Sequence, residues 1–141
     1  MKNRKALIIE NDKKSLGELE EILAMGGYDP VVVNNALWAV DTVIRHRPDV
    51  ILMELKMPHK NGFELADAIS QISETRRVPI IAMSSFFKDE FRWLLDFYGI
   101  KRWIKKPFRP LDVIWAIENE IKECNEISSD DEKEPEALAK A

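Results

Sequence analysis

Residues 48–54 read Pro48-Asp49-Val50-Ile51-Leu52-Met53-Glu54: a helix-stopping proline, four consecutive apolar residues, and then a carboxylate. A strand with one wet face alternates apolar and polar residues, whereas an unbroken apolar strand needs cover on both faces. Val50–Met53 therefore reads as a central strand of a parallel sheet, with Glu54 at its carboxyl end. The pattern recurs on either side. Ala6-Leu7-Ile8-Ile9, Val31-Val32-Val33 and the run from Val78 to Met83 are further strand candidates. Lys101 to Lys105, with Trp103 and Ile104 inside, is a weaker fifth.

Helical periodicity fills the gaps. Leu16, Leu19, Ile22 and Leu23 mark one face of a first helix. Ala36, Ala39, Val40, Val43 and Ile44 mark a second, stopping before Pro48. Phe63, Ala66 and Ile69 mark a third, and Phe87 to Tyr98 a fourth with Gly99 as its C-terminal cap. Val113, Ile114, Ile117 and Ile121 mark a fifth. Five βα units in one short chain predict a flavodoxin-like, doubly wound five-stranded parallel sheet, (βα)5, of strand order 2-1-3-4-5.

The 141 residues suit one domain with a proper core. Of 25 acids and 21 bases, six and two fall in residues 125–141, which leaves 19 of each in the body and places the whole net charge of −4 on the tail. A neutral body offers no basic field for a nucleic-acid backbone. Cys124 is the only cysteine, so no internal disulfide is possible, in keeping with a reducing compartment. Glu10 ends the first apolar run too early for a signal peptide, and no stretch approaches the roughly 18 apolar residues of a membrane span. A cytoplasmic protein without membrane contact is expected.

In an open α/β sheet, chemistry sits beyond the carboxyl ends of the strands. The first strand delivers Glu10 and Asn11, the third Glu54, the fourth Ser84 and Ser85, and the fifth Lys106 followed by Pro107. Two carboxylates, an amide, a hydroxyl and an ammonium should converge there. A flavin site would need a Gly-, Ser- or Thr-rich phosphate cradle after the first strand, and Glu10-Asn11-Asp12 would repel a phosphate instead.

At these residues the sequence resembles the response-regulator receiver family of two-component signalling, over roughly residues 4 to 122. The pieces are Ile8-Ile9-Glu10-Asn11, Pro48 to Glu54, Met57-Pro58-His59-Lys60-Asn61-Gly62, Pro79-Ile80-Ile81-Ala82-Met83-Ser84-Ser85, and Lys106-Pro107-Phe108. After Cys124 the apolar pattern fades and Ser128-Ser129-Asp130-Asp131 begins a charged run, so residues 125–141 are expected to form an acidic, flexible tail or at most a frayed helix. The resemblance implies a receiver domain over residues 1–124. It implies a pocket of Glu10, Asn11, Glu54, Ser84 and Lys106, with Glu54 at the phosphoacceptor position. It also implies a switch aromatic at Trp103, a cis-proline at Pro107, and a divalent cation on the acidic pair and acceptor. In the family a partner kinase phosphorylates an aspartate at that acceptor position.

Two departures fall on the chemistry. Glu54 carries one methylene more than aspartate, which moves its carboxylate roughly 1.5 Å into the site, a displacement that in-line phosphoryl transfer tolerates badly. Asn11 replaces an acid, so magnesium loses a carboxylate oxygen at the positions of Glu10, Asn11 and Glu54, and binding is expected to be weak or absent. Both point to a non-phosphorylatable pseudo-receiver that is not an enzyme, with Glu54 a partial phosphomimic. A residually phosphorylated, magnesium-dependent receiver and a small-molecule binder on the same fold are the alternatives.

With no effector domain read in the sequence, output is expected through a protein partner, a sensor kinase or downstream effector, or through a homodimer. The face formed by the fourth helix, fifth strand and fifth helix carries Trp93, Phe97, Trp103 and Trp115. Aromatics on a helix or a half-buried edge strand are commonly core, but tryptophan is also favoured at binding hot spots. At least one of Trp93, Trp103 and Trp115 is expected to be exposed in a contact with another chain. Leu37, Trp38 and Phe91 face the same choice between core and partner patch. His46 and His59 lack ligand-like neighbours.

Overall fold

The computed structural model describes residues 3–57, 61–72, 78–85 and 89–140, with side chains excepted at 89–91 and 126–140. The strands are β1 (Arg4–Ile9), β2 (Tyr28–Val33), β3 (Val50–Glu54), β4 (Ile80–Ser84) and β5 (Arg102–Lys105). The helices are α1 (Lys13–Met25), α2 (Ala39–His46), preceded by a 3₁₀ turn at Ala36–Trp38, α3 (Gly62–Ser70), α4 (Asp89–Phe97) and α5 (Pro110–Lys140). All strand pairs are parallel, in the order β2-β1-β3-β4-β5. The fold is the flavodoxin-like architecture that the apolar runs predict.

β3 is buried along its whole length, as an unbroken apolar strand must be. One core layer packs Leu7, Ile9, Ile51 and Met53 against Val43 of α2, Leu65 and Ile69 of α3, and Leu95 of α4. The opposite layer packs Ala6, Ile8, Leu52 and Met83 against Leu19 and Leu23 of α1 and Val113 and Ile117 of α5. Successive strand residues alternate between the two layers, so every strand turn feeds both.

Local chemistry sets the helix ends. Asp12 caps α1 by accepting from the Ser15 N–H at 2.9 Å and the Ser15 hydroxyl at 2.8 Å. Asn61 caps α3 by accepting from the Glu64 N–H at 2.9 Å, and its amide donates to Glu64 Oε1 at 3.1 Å. Arg47, at φ 46°, ends α2 directly before Pro48. Gly99, at φ 73°, supplies the left-handed turn after α4. The backbone of α5 continues as helix through the acidic segment that the sequence reading sets apart as a flexible tail. Among the described residues, no helix is long and apolar enough to cross a membrane. The stretch 58–60 with His59, and Phe87 at the start of the predicted fourth helix, lie outside the described residues.

Two glycines make opposite forecasts. A Cβ at Gly62 would stand 2.9 Å from Leu55 Cα and 3.0 Å from the Glu54 carbonyl oxygen, both backbone atoms that cannot swing aside. Gly17 lies mid-helix in α1 with nothing within 4 Å. Urea melts should show Gly62→Ala destabilised by about 1–3 kcal/mol and Gly17→Ala stabilised by about 0.5–1 kcal/mol.

Candidate functional site

The carboxyl ends of the strands deliver the site, and backbone bonds between neighbours fix each position. The Glu10 N–H donates to the Val33 carbonyl at 3.1 Å, extending β1 along β2. The Leu55 N–H donates to Met83 at 3.1 Å, and the Lys106 N–H donates to Ser84 at 3.0 Å. The chain just past β5 is thereby tied to the end of β4, and Lys106 points back over the sheet edge. The Lys106–Pro107 peptide bond is cis.

Three predicted side chains meet there. Lys106 Nζ stands 2.6 Å from Glu10 Oε2 and 2.9 Å from Glu54 Oε2. The Glu10 contact is an aligned hydrogen bond, whereas the Glu54 contact is a close ion pair without hydrogen-bond alignment at Oε2. The second oxygen of each carboxylate takes a backbone donor: Asp12 N–H to Glu10 Oε1 at 3.1 Å, and Lys56 N–H to Glu54 Oε1 at 3.2 Å. Both carboxylates are buried and the lysine nearly so. Ser84 is buried at the end of β4, and Asn11 is exposed. Trp103 is half-buried against the core layer of α2, α3 and α4.

Electrostatics follow from this geometry. Burial raises the Glu54 carboxyl above the usual carboxylate value, with Lys106 opposing and Glu10 reinforcing the rise. Burial alone would lower the Lys106 ammonium, but the hydrogen bond to Glu10 and the close negative charge of Glu54 outweigh it, and its pKa is raised. Asp12 is held below the usual range by its bonds to the Ser15 N–H and hydroxyl.

The family fold implies a divalent cation among Glu10, Asn11 and Glu54. The residues present do not fit one as arranged. Both carboxylates already share the Lys106 ammonium, and the third position is an exposed neutral amide. Among the described residues, no group of three or more His, Cys, Asp or Glu is placed to hold a metal.

On the predicted output face, Trp93 and Phe97 are 67% and 68% exposed, with their rings stacked at 5.7 Å. Trp115 is 58% exposed, and the Arg102 guanidinium lies 4.8 Å from its ring centre. Leu37 and Trp38 are exposed at the opposite end of the sheet, while the Phe91 side chain lies outside the described residues. The sequence reading passed over Arg102, which pairs with Glu120 at 2.9 Å and also with Glu123. The i, i+3 spacing of those two acids on a helix was the available signal. It took Asp12 only as part of the acidic loop after β1 and missed its N-cap role, which its position before a helical pattern and three residues ahead of Ser15 marks.

A parallel 2-1-3-4-5 sheet with an acid–lysine cluster at its carboxyl edge defines a receiver-type signalling module. The response regulator receiver domain model matches residues 6–118, and the chain belongs to that family. It is 27% identical over 104 residues to the polar-differentiation response regulator DivK of Brucella anthropi, covering 74% of this chain and 85% of that protein. It is 31% identical over 127 residues to the transcriptional regulatory protein PdtaR of Mycobacterium tuberculosis, covering 89% of this chain but only 60% of that protein's length. Among solved structures, the chemotaxis protein CheY4 of Vibrio cholerae superimposes with a TM-score of 0.79 at 22% identity, covering 83% of this chain and 98% of that one. The receiver domain of a sensor histidine kinase from Pseudomonas aeruginosa, solved with magnesium in its active-site cleft, gives 0.78 at 26% identity over 85% of this chain and 98% of that one.

The cluster predicts a pH signature. Lys106→Met would leave two buried carboxylates facing each other, at a cost of about 3–5 kcal/mol near neutral pH. Glu54 has a raised folded-state pKa, so its contribution to stability is fully present below its unfolded value and is lost as pH rises through the folded one. Denaturant titrations should therefore show the Lys106→Met deficit shrinking as pH falls from neutral toward the carboxylate range. In the wild type, stability held by Lys106 should fade only above the ordinary lysine pKa, because its folded pKa is raised.

Proposed function

We propose that this chain is a pseudo-receiver: a two-component signalling module, not an enzyme, in which Glu54 stands in part for a phosphorylated aspartate. One observation supports the reading above the others. The Glu54 carboxylate is already in contact with the lysine that in the family meets the phosphoryl group, at 2.9 Å from Lys106 Nζ. A glutamate brings about −1 charge where phosphate brings roughly −1.5 to −2, so the mimicry is partial. The shared ammonium and the neutral Asn11 leave magnesium weakly bound or unbound. The module then works in the cytoplasm by protein contact, with a sensor kinase, a downstream effector or a second copy, through α4, β5 and α5. Residual phosphorylation would require Glu54 to leave Lys106 and a cation to enter. The small-molecule alternative would need an apolar pocket at the strand ends, whereas the open cleft beside β5 mixes five bases and one acid with Trp103, Ile104, Pro107, Trp115 and Ala116.

Intact-mass measurement after incubation with acetyl phosphate and magnesium should show no phosphoryl adduct on the wild type. Glu54→Asp combined with Asn11→Asp should regain both the adduct and calorimetrically measurable magnesium binding. A wild-type gain of one phosphoryl mass, lost in Glu54→Gln, would overturn the proposal.

The exposed aromatic ridge supports the output face. Because Trp93 is two-thirds exposed, Trp93→Ala should weaken association while leaving the melting temperature nearly unchanged. A loss of several kcal/mol in stability would instead mark it as a packing residue.

A further inference from the structure

The cleft beside β5 and the first turns of α5, about 710 Å3 in volume, concentrates positive charge on a body that is neutral overall. Five bases and one acid, Asp112, line it. Two of the bases are committed: Lys106 to Glu10 and Glu54, and Arg102 to Glu120 and Glu123. Lys101, Lys105 and Arg109 are exposed and make no ion pair among the described residues. Trp103 and Trp115 add an apolar wall. Three free cations beside two indoles suit an anionic polypeptide segment better than a neutral surface.

The chain itself contains such a segment. Residues 126–136 hold Glu126, Asp130, Asp131, Glu132, Glu134 and Glu136 against the single base Lys133. They cannot reach the cleft of their own molecule, because α5 is continuous from Pro110 to Lys140 and the cleft is built on its first turns at Asp112, Trp115 and Ala116. With a rise of about 1.5 Å per residue, the middle of the acidic stretch lies roughly 25 Å along the same axis from Trp115. A second copy with α5 running antiparallel brings its acidic half opposite this cleft. Twofold symmetry then forms the reciprocal contact at the same time.

We infer that the β5–α5 cleft, through Lys101, Lys105 and Arg109, seats the acidic segment 126–136 of a second copy of this chain in an antiparallel α5 dimer. The inference rests on the reading of α4, β5 and α5 as the interaction face, and it names the occupant. Leu111, 83% exposed one helical turn before Trp115, lies on α5 where such a partner helix would add apolar contact.

A charge swap tests it on the full chain. One variant carries Lys101→Glu, Lys105→Glu and Arg109→Glu; the other carries Asp131→Lys, Glu132→Lys and Glu134→Lys. Circular dichroism checks that both fold, and glutamine replacements at the same positions serve if either does not. Sedimentation velocity should show a wild-type dimer that weakens with salt. Each variant alone should dimerise at least about tenfold more weakly, and an equimolar mixture should recover a heterodimer. A wild type that stays monomeric at high concentration overturns the inference, as does a variant that dimerises normally alone or a mixture that recovers nothing. If the swaps leave the dimer intact while Trp93→Ala abolishes it, the tail contact fails and the face reading stands. If Trp93→Ala has no effect while the swaps behave as expected, the acidic contact stands and the aromatic ridge does not serve self-association.

Discussion

The ammonium of Lys106 is held between two buried carboxylates, and the carboxyl edge of the sheet is arranged around that contact. Glu10 and Glu54 end adjacent strands, β1 and β3, and without a cation between them their charges would be buried at close range. Lys106 comes from the far side of β4, across the Ser84 carbonyl that its own N–H engages. The two carboxylates at the ends of β1 and β3 therefore share the single positive charge that follows β5. Each carboxylate also takes a backbone donor on its second oxygen, so the negative charge is spread over fixed partners and not left to water.

That arrangement bears directly on chemistry. The longer glutamate reaches Lys106 without any modification, and the ammonium has two carboxylate partners. The site is tied internally at the place where most of the family's regulation would act. The exposed aromatics lie on α4 and α5, and three bases beside β5 make no ion pair among the described residues.

The opposite end of the molecule shows why exposure alone does not define a partner. Leu37 and Trp38 are as exposed as Trp93, beside the β2 edge of the sheet. No adjoining charge cluster or stacked ring pair among the described residues gives that patch a direction. On the β5 side, the Trp93–Phe97 stack, the Arg102–Trp115 contact and the three free bases occur together.

The sequence by itself determined the strand centres and the order in which polar groups reach the sheet edge. Unbroken apolar runs such as Val50–Met53 are stable only when both faces are covered, and that constraint is local enough to read residue by residue. It also disclosed the carboxylates, the lysine and the extra methylene of Glu54, because residue type and strand position are written in the chain. Boundaries were less legible: β2 begins at Tyr28 and runs through Asp29 and Pro30, since an edge strand can hold polar residues and a proline that a central one cannot. Only the tertiary structure decided that Lys106 contacts both glutamates while Asn11 points to solvent. It likewise decided that Trp93, Phe97 and Trp115 lie outside the core while Trp103 lies half inside it. Apolar periodicity cannot separate an aromatic that fills a core from one that lines a face, because both follow the same helical repeat. The difference is set by which neighbouring element, if any, packs across it.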